Sequence, residues 1–193
     1  LNFTQDVMSW LSPDDPLNEA TEIIDGKLKG SITLELVADT GVENGVKDPV
    51  FLKSLDALGR RAVDMRRGEA LSVGKTVAIS DVVKEIHQAL NANQKQFYAI
   101  PDDPALASQE LLLFENTGSD DLEDVVDSQF QFARLTLKVP YADPLQYNIF
   151  IQDITEESRK ILGDDVGIVV TGFMGMMGQT IHRVMSGMAR SYG

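Results

Sequence analysis

Four Asp-Pro pairs punctuate this chain, at Asp15-Pro16, Asp48-Pro49, Asp103-Pro104 and Asp143-Pro144, and they fix where helices can begin. An N-cap Asp accepts a hydrogen bond from an otherwise orphaned backbone N–H, and a proline at the first helical position has no N–H to leave unpaired. Behind the first pair, Leu17, Ala20, Ile24 and Leu28 recur at helical spacing and Gly30 closes the run. Behind the second come Leu52, Leu55, Leu58, Ala62 and Met65, with Arg60, Arg61, Arg66 and Arg67 towards the C-terminal end and Gly68 as the stop. The fourth pair leads into Tyr147, Phe150, Ile151, Ile154, Ile161 and Leu162, ending at Gly163. All three patterns predict surface helices with one buried face.

Alternation identifies the strands. Ile32, Leu34 and Leu36 oppose Thr33 and Glu35, and Leu135, Leu137 and Val139 oppose Arg134, Thr136 and Lys138. Shorter β-branched runs, Val73–Ile79 and Val166–Val170, each follow a long helix. Strand, Asp-Pro helix and strand therefore occur twice, with strands expected near 32–40, 73–79, 131–139 and 166–171. This predicts an α+β fold in which duplicated βαβ units form a ferredoxin-like sandwich. Its four-stranded sheet carries the helices over 48–67 and 143–163 on one face. Residues 81–128 form an insert, expected to be helical over Asp81–Leu90, Asp103–Phe114 and Asp120–Asp127 and large enough to cap the sheet or shape a cleft.

The 193 residues suit one domain with perhaps a satellite lobe, and a net charge of −13 repels phosphate backbones and excludes a nucleic-acid partner. The chain has no cysteine, which removes disulfides, thiol nucleophiles and Cys-based zinc sites. His87 and His182 lack a second histidine at metal-pair spacing, and His87 is expected to face solvent beside Glu85. The cluster Asp120, Asp121, Glu123, Asp124 and Asp127 lacks the ligand alternation and central glycine of a calcium loop. Gly172, Gly175 and Gly178 follow a strand and precede a helical pattern, but their spacing is not that of a dinucleotide turn. They read as a hinge. No catalytic residue, metal or cofactor is expected.

One run does invite a ligand. Leu111, Leu112, Leu113 and Phe114 are consecutive on a predicted helix and cannot all face one core. They are expected either to bind a hydrophobic compound between the insert and the sheet or to pack on the insert's own helices.

No stretch approaches the roughly 18 apolar residues of a membrane span. The chain nonetheless starts in mid-pattern at Leu1, and the helical pattern of Ile181, Val184, Met185 and Met188 reaches Gly193 without a stop, so it reads as cut at both ends. Trp10 near one end, and Arg183, Arg190 and Tyr192 near the other, suit either a membrane interface or an ordinary amphipathic helix on the core. Both ends are expected on the same side of the domain.

In order and spacing, several stretches together resemble the large periplasmic loop of resistance-nodulation-division exporters, in the branch of the mycobacterial large membrane proteins and hopanoid transporters. They are Ile24-Asp25 with Leu28 and Gly30, Leu34 to Gly41 followed by Gly45 and Asp48-Pro49, and Ser80 to Lys84 with Ala89-Leu90-Asn91. Leu111 to Gly118, Ala133-Arg134-Leu135 and Val170-Thr171-Gly172 complete the set. The resemblance covers nearly the whole chain and favours the second such loop over the first. It implies that residues 1–193 are a single porter-type domain at the periplasmic face of a bacterial inner membrane, part of a proton-driven exporter of lipids or other hydrophobic compounds. Its implied partners are a hydrophobic or lipid-like substrate, the transporter's own membrane domain, its other periplasmic loop and a homo-oligomer. The family's proton-relay residues lie in membrane helices and map to nothing here. Residue patterns alone leave a second reading open, a free-standing ferredoxin-like ligand-binding regulatory module.

Overall fold

The computed structural model describes residues 12, 14–68, 71–116, 122–142, 144–173, 176 and 180. In chain order the elements are α1 (Pro16–Lys27), β1 (Ile32–Asp39), α2 (Pro49–Asp64), β2 (Arg66–Arg67), β3 (Leu71–Ser72), β4 (Lys75–Val77), α3 (Ile79–Leu90), α4 (Pro104–Glu115), β5 (Phe132–Val139), α5 (Pro144–Leu162) and β6 (Gly167–Thr171). Three Asp-Pro starts close as the chemistry requires: Asp15, Asp48 and Asp103 each accept the backbone N–H two residues on, at 2.9 Å. The fourth helix begins at Pro144. Asp143 lies outside the described residues.

The main sheet runs β4-β5-β1-β6, with every neighbouring pair antiparallel. The two strands of each βαβ unit are therefore not neighbours: β5 separates β1 from β4, and β1 separates β5 from β6. This is the split arrangement of a ferredoxin-like α+β sandwich. Helices α2 and α5 pack against each other over the face that Leu34, Leu36 and Ala38 share with Ala133, Leu135, Leu137 and Val139. Leu52, Leu55 and Leu58 of α2 and Tyr147, Phe150 and Ile154 of α5 complete that core. The other face presents Thr33, Glu35, Arg134, Thr136 and Lys138, less deeply buried and linked across strands by Thr136 to Glu35 (2.7 Å) and Lys138 to Thr33 (3.1 Å).

Three expectations need correction. The strand sought over 73–79 is only Lys75–Val77, because the Asp81 carboxylate accepts the Ala78 N–H at 3.1 Å and starts α3 at Ile79. The acidic stretch expected as a helix over 120–127 has no α-helix in its described part, which passes from a 3-10 turn at Leu122 into tight turns. Leu122, Val125 and Val126 turn inwards to the core, Val126 bridges Ala133, and Asp127 accepts the N–H groups of Gln129, Gln131 and Phe132. The outer edge of β5 is thus covered in two pieces, by β4 and by Val125–Asp127, which leaves fewer free strand groups exposed.

The third correction concerns α1, which buries none of its residues. Its stripe of Leu17, Ala20, Ile24 and Leu28 lies exposed. What ties the helix down is polar: the Asp25 carboxylate accepts the Ser31 N–H at 2.6 Å and the Tyr141 N–H at 3.1 Å, joining α1 to the start of β1 and the end of β5. Gly30 makes the join possible. Its φ is +138°, and a Cβ there would lie 2.5 Å from the Val139 nitrogen. At the far end of the chain path, Thr171 pairs with Glu35, and Gly172 passes within 2.8 Å, measured from an ideal Cβ, of the Thr33 carbonyl. The chain therefore enters β1 and leaves β6 at one end of the sheet. The termini expected to emerge together lie outside the described residues, apart from Ser12 and Thr180.

Tyr147 is fully buried and donates to the Pro140 carbonyl at 2.5 Å. Burial, reinforced by Asp25, pushes its hydroxyl well above the ordinary phenol value of 10.0. The folded state then holds this proton more tightly than the unfolded chain, so stability falls as pH rises beyond that value. Tyr147→Phe is expected to lose about 0.5–1.5 kcal/mol near neutral pH with the hydrogen bond, and to flatten the alkaline loss. Urea unfolding at both pH values measures this.

Candidate functional site

The insert is where side chains of opposite character meet. Helices α3 and α4 pack on each other, and α3 packs on α2. At the α3–α4 joint, His87 Nδ1 lies 2.7 Å from Glu110 Oε1, with the Glu110 side chain 2% exposed and His87 12%. The Phe97 ring meets the imidazole edge-on at 5.6 Å. His87 therefore does not face solvent as expected. Glu110, 23 residues away in sequence, draws it inwards, because a buried carboxylate needs a donor. The second oxygen, Oε2, is buried without a hydrogen-bond partner. The pair fastens two helices. The sequence pattern gave no sign of it, because the partner lies on a different helix 23 residues on.

The neighbouring apolar run divides. Leu111 is fully buried in the core and Phe114 packs partly against it, whereas Leu112 and Leu113 are 53% and 54% exposed. Successive helical residues point about 100° apart, so one face of the run satisfies the core and the other is left in solvent. The insert also shapes a cleft of about 400 Å³ against α2 and β4, floored by Gly59, Thr76, Ala78 and Leu135 and walled by Asp56, Arg60, Asp81 and Lys84. None of the four residues of the apolar run lines it. Its wall charges pair with one another: Lys84 reaches Asp56 at 2.6 Å and Asp81 at 2.9 Å, and Arg60 also pairs with Asp56, while Asp64 lines the cleft as a further acid.

Two further clefts flank the helix pair. One of about 440 Å³ holds Arg61, Asp153, Glu157 and Lys160, where hydrogen bonds from Arg61 and Lys160 hold the Glu157 carboxyl below its ordinary range. The other, of about 360 Å³, holds Asp25, Lys29, Arg66 and Ser72 beside the start of β1. Among the described residues, no group of three or more His, Asp or Glu side chains is placed to hold a metal ion. Of the hinge glycines, Gly172 is described, with φ +135°, and Gly175 and Gly178 lie outside the described residues, as do His182 and Trp10. Comparison with family models, curated proteins and solved structures found no match to this chain.

Leu111→Ala is expected to cost roughly 2–5 kcal/mol by opening a core cavity, while Leu112→Ser and Leu113→Ser stay within about 0.5 kcal/mol. Urea unfolding of the three variants checks the division. Glu110→Ala leaves the buried imidazole without its partner and should cost roughly 1–3 kcal/mol. The double replacement His87→Leu with Glu110→Leu should recover most of that loss, as apolar substitutes for buried ionisable pairs do. A thermodynamic cycle built from the same unfolding curves reads it.

Proposed function

We propose that this chain is the porter domain of a proton-driven exporter of lipids or other hydrophobic compounds, belonging to the resistance-nodulation-division superfamily and standing at the periplasmic face of a bacterial inner membrane. The observation that carries the reading is the route of the backbone: it enters β1 and leaves β6 at one end of the sheet. A loop joining two membrane helices must leave and re-enter one bilayer surface, and a split βαβ sandwich threaded this way meets that requirement without a crossover to the far pole. The domain contributes surface and not bond chemistry. Leu112 and Leu113 offer exposed apolar side chains for a hydrophobic substrate, and the buried Leu111 holds their helix in place. Proton coupling belongs to the membrane domain, and the second periplasmic loop and further copies of the transporter are the expected neighbours.

The parent reading frame separates this from a free-standing ligand-binding regulatory module. Apolar runs of about 20 residues on both sides are expected, and a start codon directly before Leu1 overturns the proposal. In membrane vesicles carrying the parent protein, Nile red efflux should require a proton gradient. It should fall severalfold in Leu112→Ser with Leu113→Ser, and efflux that persists after the gradient is collapsed counts against the reading.

A further inference from the structure

Two helices meet the sheet at the end where β1 begins, and each holds apolar side chains in solvent. α1 has 12 residues and buries none of them, with Leu17 and Leu28 56% and 66% exposed and Ile23 and Ile24 exposed between them. A helix of that length is marginal in water without a packed face. The second helix follows β6 directly. Phe173, Met176 and Thr180 are helical: the Met176 N–H donates to the Gly172 carbonyl at 3.0 Å and the Thr180 hydroxyl to the Met176 carbonyl at 2.9 Å. Phe173 and Met176 are 66% and 58% exposed. The sequence extends this stripe, since Phe173, Met177, Ile181, Val184 and Met188 recur every three or four residues, the last four outside the described residues.

We propose that residues 173–193 dock as one helix along the uncovered apolar side of α1, antiparallel to it, and that the pair forms a two-helix stem at this end of the sheet. The sheet sets the distance. Asp25 ties α1 to Tyr141, just past the end of β5, whereas the second helix starts from β6, and β5 and β6 flank β1 on either side. Two strand spacings amount to roughly 10 Å, and packed helices lie about 8–10 Å apart. Direction agrees, because α1 reaches the sheet with its C-terminal end and the second helix departs with its N-terminal end. Charge selects the occupant. α1 and its approach carry Asp14, Asp15, Glu19, Glu22 and Asp25 against Lys27, so α1 of a second copy would set acid against acid. Residues 166–193, in a chain of net charge −13, contain no acid and include Arg183 and Arg190.

The chain has no cysteine, so a cross-link reports only the pair introduced. With about 1.5 Å of rise per residue in both helices and Leu28 level with Phe173, Ile24 falls level with Met177 and Leu17 with Val184. In the 193-residue chain treated with copper phenanthroline, Leu17→Cys with Val184→Cys, or Ile24→Cys with Met177→Cys, should close a disulfide within one chain. Closure requires Cα atoms within about 7 Å. Leu112→Cys with Val184→Cys, which would reach to the insert, should stay open. Hydrogen exchange supplies the second measurement. Val184→Asp with Met188→Asp should speed exchange of the α1 amides about tenfold and leave β1 and β5 unchanged, which separates a lost stem from a lost fold. Disulfides formed between two chains, closure of neither matched pair, equal closure of the control pair, or α1 exchange unmoved by the Val184 and Met188 substitutions overturns the proposal. The stem needs neither a bilayer nor transport, so each of these results leaves the exporter reading to its own test of the reading frame.

Discussion

Everything in this domain hangs on β1. It pairs with β5 along all eight of its residues and with β6 along five, so both βαβ units are stitched through a single strand. Leu34, Leu36 and Ala38 put that strand at the centre of the core, fully buried beneath α2 and α5. A register slip of one residue would turn Glu35 and Val37 into the core and Leu36 out of it. Pairing on both sides makes such a slip doubly unfavourable. The antiparallel neighbours also explain why the two helices lie side by side: each right-handed crossover skips one strand and returns over the same face.

Much of this architecture is legible in the chain because it rests on local chemistry. An Asp-Pro pair contains its own cap, and alternation in Phe132–Val139 or Ile32–Asp39 already states which side is buried. The two failures have separate physical causes. Lys75–Val77 is short because Asp81, three residues beyond Ala78, takes the N–H that would have continued the strand, and a capping acid outweighs the β preference of one valine. The acidic run around Asp124 looked helical from its charge, but Leu122, Val125 and Val126 gain more from filling the space beside β5 than a helix would return. A local cap decided the first and packing beside β5 the second.

The insert shows the same limit at the candidate site. That Leu111, Leu112, Leu113 and Phe114 could not share one environment followed from helical geometry alone. Which of them would be buried did not, because the answer depends on α3 and the core packed against α4. His87 was less legible still. Glu110 is reachable only once α3 and α4 lie together, and an imidazole that pattern reading assigned to solvent becomes part of the joint.

The attachment of α1 connects these themes. A helix that buries no side chain contributes little hydrophobic stabilisation, so its position depends on the two hydrogen bonds that Asp25 accepts. A carboxylate accepting backbone N–H groups holds a segment by direction and not by area, which fixes where α1 meets the sheet while leaving its apolar flank uncovered. Polar anchoring thus leaves Leu17, Ile24 and Leu28 in solvent on the same helix as Glu19 and Glu22, an apolar and acidic flank held in place by a single carboxylate.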